Sequence, residues 1–293
     1  MKNKILVIDG TYLAYRSYFA TTYKGVVMAN QEGTLTNAVF GFFNTLLTLI
    51  KMQKVTHVFV AFDSKIKTFR HELFSGYKAT RQKAPSDFYV QLNFIQQILD
   101  ALNITNFYKD GFEADDIIAK VVSIFSEDEI LIHSADQDLN QLINPNVAII
   151  KKNNKGVYFE LNANNFGEYY DFLPSQVIDY KALVGDSSDN FKGVPGIGPK
   201  SAAGLLHEYG TLENIFANIE SIKPALKAKI EANKEEALRD KYLATLRTDF
   251  EIPPISHEEL LISAITLSPD ASYIIRRLEL NSLKNRLLEL LAN

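Results

Sequence analysis

The chain of 293 residues contains no cysteine. This absence excludes a disulfide scaffold, a thiolate zinc site, an iron–sulfur cluster and a cysteine nucleophile. The sequence also lacks a run of about eighteen apolar residues, the length that a membrane-spanning helix needs. Its first apolar run, residues 5–8, ends at Asp9 and is too short for a signal peptide. We therefore expect a cytoplasmic protein with no membrane partner.

Acidic residues slightly outnumber basic residues overall, 35 to 31, but one segment is strongly basic. The formal net charge is −4, yet residues 65–83 contain six Lys or Arg and the single acid Glu72. Three aromatic residues, Phe69, Phe74 and Tyr77, are interleaved with these cations. Cations beside exposed rings are typical of surfaces that contact phosphates and unpaired bases. A solvated charged connection has the same composition, so the segment alone leaves both interpretations open.

The hydrophobic pattern predicts an α/β fold followed by a helical region. Apolar runs at 4–8, 55–62, 104–108 and 130–135 alternate with helical patterns at 36–51, 87–102 and 114–125. This alternation predicts a mostly parallel sheet with helices on both faces. Residues 147–151 and 157–161 flank a turn sequence and predict a hairpin. Beyond residue 172 the pattern is nearly all helical, so we place a domain boundary there.

Acidic residues follow three of the predicted strands. Asp9, Asp63 and Asp136 come directly after strand patterns, and open α/β sheets bind ligands at the carboxyl ends of their strands. Further acids lie in short motifs: Asp138, Glu113, Asp115, Asp116, Asp186 and Asp189.

Each acidic motif alone has an ordinary explanation, as a helix cap or a surface turn. Nine carboxylates directed toward one sheet edge would, however, repel one another strongly. Divalent cations offset that repulsion. An all-oxygen ligand set suits Mg²⁺ or Mn²⁺, and the five histidines all lie outside these motifs, which disfavours zinc. The nine acids therefore predict a divalent metal centre.

A glycine-rich turn precedes a predicted helix near residue 201. Its sequence is Gly-Val-Pro-Gly-Ile-Gly-Pro-Lys over residues 193–200. Gly196 and Gly198 permit positive φ and close backbone approach. Backbone amides and a helix N-terminus, with Lys200 nearby, can then hold a phosphate of a nucleic-acid duplex. A plain turn between two helices is the alternative.

The motifs taken in order resemble the 5′→3′ exonuclease family, which includes the N-terminal domain of bacterial DNA polymerase I and the flap endonucleases. The resemblance extends over about residues 4–285. The matching motifs are Val-Ile-Asp9-Gly, Ala-Phe-Asp63, Phe-Arg70-His-Glu, Tyr77-Lys-Ala-Thr-Arg81, Glu113-Ala-Asp-Asp116, Ala-Asp136-Gln-Asp138-Leu, Gly185-Asp-Ser-Ser-Asp-Asn190 and the Gly193 turn.

This resemblance implies a PIN-like nuclease domain over residues 1–172, with a helical arch at about 64–100. It also implies a helix–three-turn–helix DNA-binding domain over residues 173–293. For two Mg²⁺ or Mn²⁺ ions, it assigns the first to Asp9, Asp63, Glu113, Asp115 and Asp116. It assigns the second to Asp136, Asp138, Asp186 and Asp189.

The resemblance also implies roles for basic, aromatic and glycine residues. Lys78 and Arg81 match arch cations that approach the scissile phosphate, and Arg16 matches a basic position at the floor of the active site. Tyr77 matches a stacking ring, and Arg70 a DNA contact. The resemblance assigns duplex binding to Gly193, Gly196, Gly198 and Lys200. Relatives can hold a monovalent cation such as K⁺ on the carbonyls of this turn.

The implied activity is metal-dependent hydrolysis of DNA near 5′ ends and 5′ flaps, as in primer removal and repair, by a nucleoid-associated monomer. The implied substrates include RNA-primed DNA. The resemblance leaves open whether a separate DNA polymerase is a partner. An RNA-directed PIN-type nuclease and a non-catalytic DNA-binding module are alternatives. A phosphatase with an aspartate nucleophile at Asp9 is a weaker one, because Val7 and Thr11 occupy the places where its second aspartate is needed.

Overall fold

The computed structural model describes residues 2–22, 25, 27–153 and 155–292. The chain divides into two compact units, and each is formed from separated segments. Unit 1 comprises the described residues of Met1–Lys65, Lys83–Ala135 and Asp249–Asn293. Unit 2 comprises those of Ile66–Gln82 and Asp136–Thr248.

Unit 1 contains a four-stranded parallel sheet in the order β3-β2-β1-β4. The strands are β1 Lys4–Asp9, β2 His57–Ala61, β3 Asn106–Phe107 and β4 Glu129–His133. Residues 5–8 of β1 are fully buried, as expected for a central parallel strand with both faces covered. The predicted parallel pairing is confirmed, and the weak strand predicted at 104–108 shortens to two residues.

Helices connect the strands and form the remainder of the chain. In chain order they are α1 Gly10–Thr22, α2 Asn37–Gln53, α3 Phe69–Leu73, α4 Ser86–Ala101, α5 Ala114–Ile124, α6 Val177–Val184, α7 Pro199–Tyr209, α8 Leu212–Ala217, α9 Pro224–Ala232, α10 Lys234–Ala244, α11 His257–Leu260, α12 Pro269–Arg277 and α13 Asn281–Leu291. Within the described part of the chain, no helix has the length and hydrophobicity for crossing a membrane.

Helix α1 was absent from the strand and helix pattern that we derived from the sequence. It begins at Gly10, directly after β1. A side-chain carbon at Gly10 would approach the Phe62 ring to 2.5 Å and the Ala61 carbonyl oxygen to 2.8 Å. Glycine therefore lets α1 start against the end of β2, immediately after Asp9.

The C-terminal segment returns to unit 1. Phe250 stacks on Phe112 with ring centroids 4.0 Å apart, and the Ile262 amide donates to the Thr56 carbonyl at 3.0 Å. Helix α12 packs on α4, and α13 packs on α2. Because of these contacts, the two compact units differ from the two domains expected from a single division of the chain at residue 172. The domain boundary at residue 172 stays a prediction.

Unit 2 combines a β-hairpin with helices α3 and α6 to α10. Strands β5 Val147–Lys152 and β6 Tyr158–Leu161 pair antiparallel, which confirms the predicted hairpin, although Asn154 of its turn lies outside the described residues. The helical core includes Leu183, Leu205 and Ile215. Residues 66–82, the first part of the predicted arch, belong to this unit, whereas α4 belongs to unit 1. The arch itself stays a prediction.

Candidate functional site

Five of the predicted metal ligands lie in unit 1, and we call them the first carboxylate group: Asp9, Asp63, Glu113, Asp115 and Asp116. Asp9 ends β1 and pairs in register with Ala61, the last residue of β2. Asp63 follows two residues later. Parallel strands place both aspartates at the carboxyl edge of the sheet, where the sequence predicted a ligand site.

Hydrogen bonds from neutral groups fix these two aspartates. Asp9 Oδ1 accepts from the Tyr12 amide at 2.9 Å, and its Oδ2 accepts from the Ser134 hydroxyl at 2.8 Å. Asp63 Oδ1 accepts from the Ala114 amide at 2.9 Å. Since Ala114 is the first residue of α5, this last bond holds the acidic start of that helix beside Asp63.

The acids at the start of α5 differ in their surroundings. Asp116 is fully buried, and its Oδ2 accepts from the Glu113 amide at 3.2 Å, a helix-capping arrangement. Glu113 is also buried, and Asp115 is half-buried. The capping role that acids often have at a helix N-terminus is therefore real for Asp116. A cap and a metal ligand are compatible, because a carboxylate has several acceptor positions.

The other four predicted ligands lie in unit 2, and we call them the second carboxylate group: Asp136, Asp138, Asp186 and Asp189. Asp136 Oδ1 accepts from the Asp138 amide at 2.9 Å. Lys181 of α6 forms ion pairs with both Asp138 and Asp186, the latter at 2.5 Å between Nζ and Oδ2. Asp189 faces Arg81 at 3.4 Å and Lys78 at 3.9 Å.

These cations change the acidity of the group. Burial alone would raise the pKa of Asp186, but the Lys181 ammonium and hydrogen bonds from Ser188 together lower that pKa below its usual value. Burial raises the pKa of Asp189, with repulsion from Asp186 and Asp136 acting in the same direction, although Lys78 and Lys181 oppose it. The second group is thus a coupled set of acids and lysines.

Lys181 was missed in the sequence. It lies in the last turn of α6 among buried residues, and its own exposure is 6%. Lysine is seldom fully buried without a partner. The one available signal was a lysine five residues before Asp186 on an otherwise apolar helix face, and that signal does not indicate which acids it contacts.

The predicted arch residues differ in their surroundings: the two cations face an acid, whereas the aromatic ring is buried. Lys78 and Arg81 face Asp189, so both cations lie beside a predicted metal ligand. Tyr77 is only 3% exposed and stacks on Phe191 at 5.8 Å. Its ring is therefore part of the unit 2 core, and stacking on a nucleic-acid base would require it to move.

Two predicted arginines have local partners. Arg70 is 2% exposed and donates to the carbonyl oxygens of Leu243 at 2.8 Å and Thr245 at 3.3 Å. This geometry gives Arg70 a structural role in joining residues 66–82 to the end of α10, and DNA contact stays a prediction that this burial disfavours. Arg16 in unit 1 donates to the Tyr12 hydroxyl at 2.8 Å.

The glycine-rich turn connects α6 and α7. Gly193 and Gly196 have φ of 62° and 82°, which only glycine adopts at little cost. Gly198 has φ of −96° as the residue before α7, so the positive φ that glycine permits is not used at this position. Lys200 is exposed in the first turn of α7. Lys229 Nζ donates to the Gly196 carbonyl at 3.1 Å, so an ammonium already uses one carbonyl of the suggested K⁺ site.

Among residues 2–22, 25, 27–153 and 155–292, no group of three or more Asp, Glu or His side chains has the arrangement of a preformed metal cage. The oxygens described above are engaged by backbone amides, hydroxyls, lysines and an arginine. The convergence of all nine carboxylates on one pocket therefore stays a prediction.

Comparison with known proteins identifies the family. The 5′-3′ exonuclease N-terminal resolvase-like domain matches residues 4–171, and the 5′-3′ exonuclease C-terminal SAM fold matches residues 172–266. The chain is 37% identical over 290 residues to a 5′-3′ exonuclease of Mycoplasmopsis pulmonis, covering 94% of each protein. It is 39% identical over 254 residues to that of Mycoplasma genitalium, covering 85% of this chain and 87% of the relative.

Longer and more distant relatives agree with this result. DNA polymerase I of Bacillus subtilis is 40% identical over 253 residues, 85% of this chain, but the match spans only 28% of that polymerase. Structures of the T5 D15 protein and the catalytic core of Rad2 superpose with TM-scores of 0.67 and 0.62 at 20% and 17% identity. Each covers 99% of this chain, with 99% of the T5 chain and 93% of the Rad2 chain aligned, and at such identities they support the fold alone. The predicted combination of a PIN-like sheet domain and a helical second domain is confirmed, and the chain belongs to the 5′-3′ exonuclease family.

Proposed function

We propose that this protein is a structure-specific 5′→3′ exonuclease and 5′-flap endonuclease that uses two divalent cations, Mg²⁺ or Mn²⁺, to hydrolyse DNA. The observation that carries the proposal is the position of the first carboxylate group: Asp9 ends β1, Asp63 follows β2, and the Ala114 amide at the start of α5 donates to Asp63. Family membership supplies the type of reaction.

The residues fit the proposed ions. All nine candidate ligands offer carboxylate oxygens, which hard divalent cations prefer, and the chain has no thiolate to favour a softer metal. The first carboxylate group would hold one ion and the second group the other. When bound, such ions supply Lewis acidity that activates water and stabilises the leaving oxygen.

The chain's own cations complete the chemistry. Lys78 and Arg81 neutralise negative charge on the phosphate oxygens as the bond to the leaving oxygen breaks. Because both now face Asp189, an incoming phosphate must compete with that carboxylate for them. Arg16 donates to the Tyr12 hydroxyl and contributes positive charge about one helical turn beyond Tyr12 in α1.

The glycine-rich turn provides the proposed duplex contact. Backbone amides at the start of α7 and the exposed Lys200 can hold a phosphate without reading sequence. The names of the structural relatives support a DNA substrate: one is a T5 flap endonuclease with DNA and metal ions, and another is Rad2 with a DNA substrate. Products would carry a 5′ phosphate.

Cleavage of a labelled 5′-flap duplex, with Mg²⁺ and with excess EDTA, tests the proposal. We expect cleavage near the junction that EDTA abolishes. Asp63→Asn removes one negative charge, while its amide oxygen can still accept from Ala114, so turnover should fall at least about 10²-fold in a folded protein. The matched control is Asp270→Asn, an exposed acid in the first turn of α12, which should cleave at the wild-type rate. Cleavage that persists in EDTA, or in Asp63→Asn, would contradict the proposal.

The same assay separates the alternatives. An all-RNA flap cleaved in preference to DNA would favour an RNA-directed nuclease, and flap binding without any cleavage would favour a binding module. We further propose that the protein acts as a monomer, which the sedimentation of its complex with one flap duplex tests. A separate polymerase partner, a cytoplasmic location and K⁺ binding stay predictions.

A further inference from the structure

Lys181 lies between two acids of the second carboxylate group, in a position that a bound cation could also occupy. Its ammonium pairs with Asp138 and with Asp186, the latter at 2.5 Å. The side chains of Lys181, Asp138 and Asp186 are only 8%, 10% and 18% exposed. The two acids come from distant parts of the chain, yet one ammonium contacts both.

This contact has a clear electrostatic purpose. Two buried carboxylates that face each other repel and lose their hydration, so they need a counter-charge. When no metal ion is bound, Lys181 supplies that charge. Its backbone is fixed, because the Gly185 amide donates to the Lys181 carbonyl at 2.8 Å and ends α6. The flexible four-carbon stem leaves the ammonium free to reorient.

We propose that Lys181 is a positioning residue that acts as a stand-in cation: it holds Asp138 and Asp186 together in the metal-free protein and competes with a divalent ion for both. The inference rests on the proposed function, in which the second carboxylate group binds such an ion. Mg²⁺ and Mn²⁺ need close carboxylate oxygens, and a divalent ion and an ammonium repel each other. The ammonium must therefore leave these oxygens when the ion binds.

The competition has two measurable consequences. Removal of the ammonium should increase affinity for the divalent ion, because nothing then has to be displaced. It should also destabilise the metal-free protein, because the buried Asp138 and the half-buried Asp186 lose their counter-charge. A lysine that only stabilised the fold would produce the second effect without the first.

The test is a Mn²⁺ titration followed by electron paramagnetic resonance, together with thermal unfolding in EDTA and in saturating Mn²⁺. The variant Lys181→Met keeps the stem and removes the charge. We expect its weaker Mn²⁺ site to bind about tenfold more tightly than in wild type, which corresponds to about 1.4 kcal/mol. Its melting temperature should fall in EDTA and recover in Mn²⁺.

Lys241→Met is the matched control. Lys241 also bridges two acids of unit 2, Asp179 and Glu213, each at 2.6 Å, but neither acid is a candidate ligand. This variant should melt at a lower temperature to the same extent with and without Mn²⁺, and its Mn²⁺ affinity should match wild type.

Lys181→Arg keeps the inference testable if Lys181→Met does not fold. Its guanidinium binds carboxylates through a rigid fork, so Mn²⁺ affinity should fall below that of wild type. An affinity order other than Met, Lys, Arg from tightest to weakest overturns the inference. If wild type neither binds Mn²⁺ nor cleaves a flap with it, the proposed function fails; if wild type does both and the order is not found, only the role of Lys181 fails.

Discussion

The first and second carboxylate groups differ in the partners that the structure describes for their oxygens. In the first group, Asp9 and Asp63 accept hydrogen bonds from two backbone amides and a hydroxyl. In the second group, Lys181 pairs with Asp138 and Asp186, while Lys78 and Arg81 face Asp189. Neutral donors orient a carboxylate and leave its charge in place, whereas cations cancel that charge.

These partners explain how the chain can stabilise the carboxylates of both groups when no metal is bound. The hydrogen bonds described for Asp9 and Asp63 come from neutral donors, and we expect the first group to attract a divalent ion more strongly than the second. In the second group, cations of the chain itself contact three of the four acids, so an ion must displace ammonium or guanidinium groups to bind there. The two groups should therefore fill in order as metal concentration rises.

The largest expected effect tests whether the second group is needed at all. Asp136→Asn should reduce flap cleavage by about 10³-fold, because the negative charge for the second ion is lost. The amide oxygen can still accept from the Asp138 amide, so the fold and the affinity for duplex DNA should persist. Single-turnover cleavage and fluorescence anisotropy measure the two quantities. Retained Mg²⁺-dependent cleavage would mean that the first group suffices.

The next effect concerns residues 66–82, the segment that carries Lys78 and Arg81. Tyr77→Ala should lower the free energy of unfolding by about 3 kcal/mol, the cost of removing a buried aromatic ring, because Tyr77 stacks on Phe191 in the core of unit 2. Tyr77→Phe keeps the ring and should lower the free energy of unfolding by less than Tyr77→Ala does. Urea unfolding measures both. A fully stable Tyr77→Ala that nevertheless cleaves flaps slowly would instead support the exposed stacking role that the resemblance implied.

A third effect separates charge from packing beside Asp189. Lys78→Ala and Arg81→Ala should each slow flap cleavage by about 10²-fold, because a group that stabilises the phosphate charge is lost. Arg81 is exposed, so its variant should unfold at the wild-type urea concentration. Lys200→Ala is the comparison: it should weaken duplex binding and leave the single-turnover rate at saturating DNA unchanged. Wild-type rates from both arch variants would remove these cations from the mechanism.

Local patterns predicted the sheet and the positions of its acids well. Apolar runs that stop at Asp9 and Asp63 identify strand ends, and parallel pairing places those ends at one edge. The antiparallel hairpin followed from its turn residues in the same way. Such features depend on periodicities of a few residues, which a sequence displays directly.

Contacts between distant segments were not predictable. Residues 65–83 read as an exposed basic segment, yet Arg70 is buried against carbonyls about 175 residues away, and no local pattern records that pairing. Lys181 is an ordinary helical lysine until α6 places it between Asp138 and Asp186. The return of residues 249–293 to unit 1 likewise depends on packing rather than on composition.

The smallest effect tests the neutral donors of the first group. Ser134→Ala removes the hydroxyl that donates to Asp9 Oδ2, and both residues are buried. Loss of one hydrogen bond to a charged acceptor should cost about 1.5 kcal/mol. The Asp9 carboxylate also becomes less well oriented, so the tighter Mn²⁺ site should weaken severalfold, opposite in sign to Lys181→Met. Calorimetric Mn²⁺ titration of both variants compares the signs, and a tighter first site in Ser134→Ala would show that neutral and charged partners act alike.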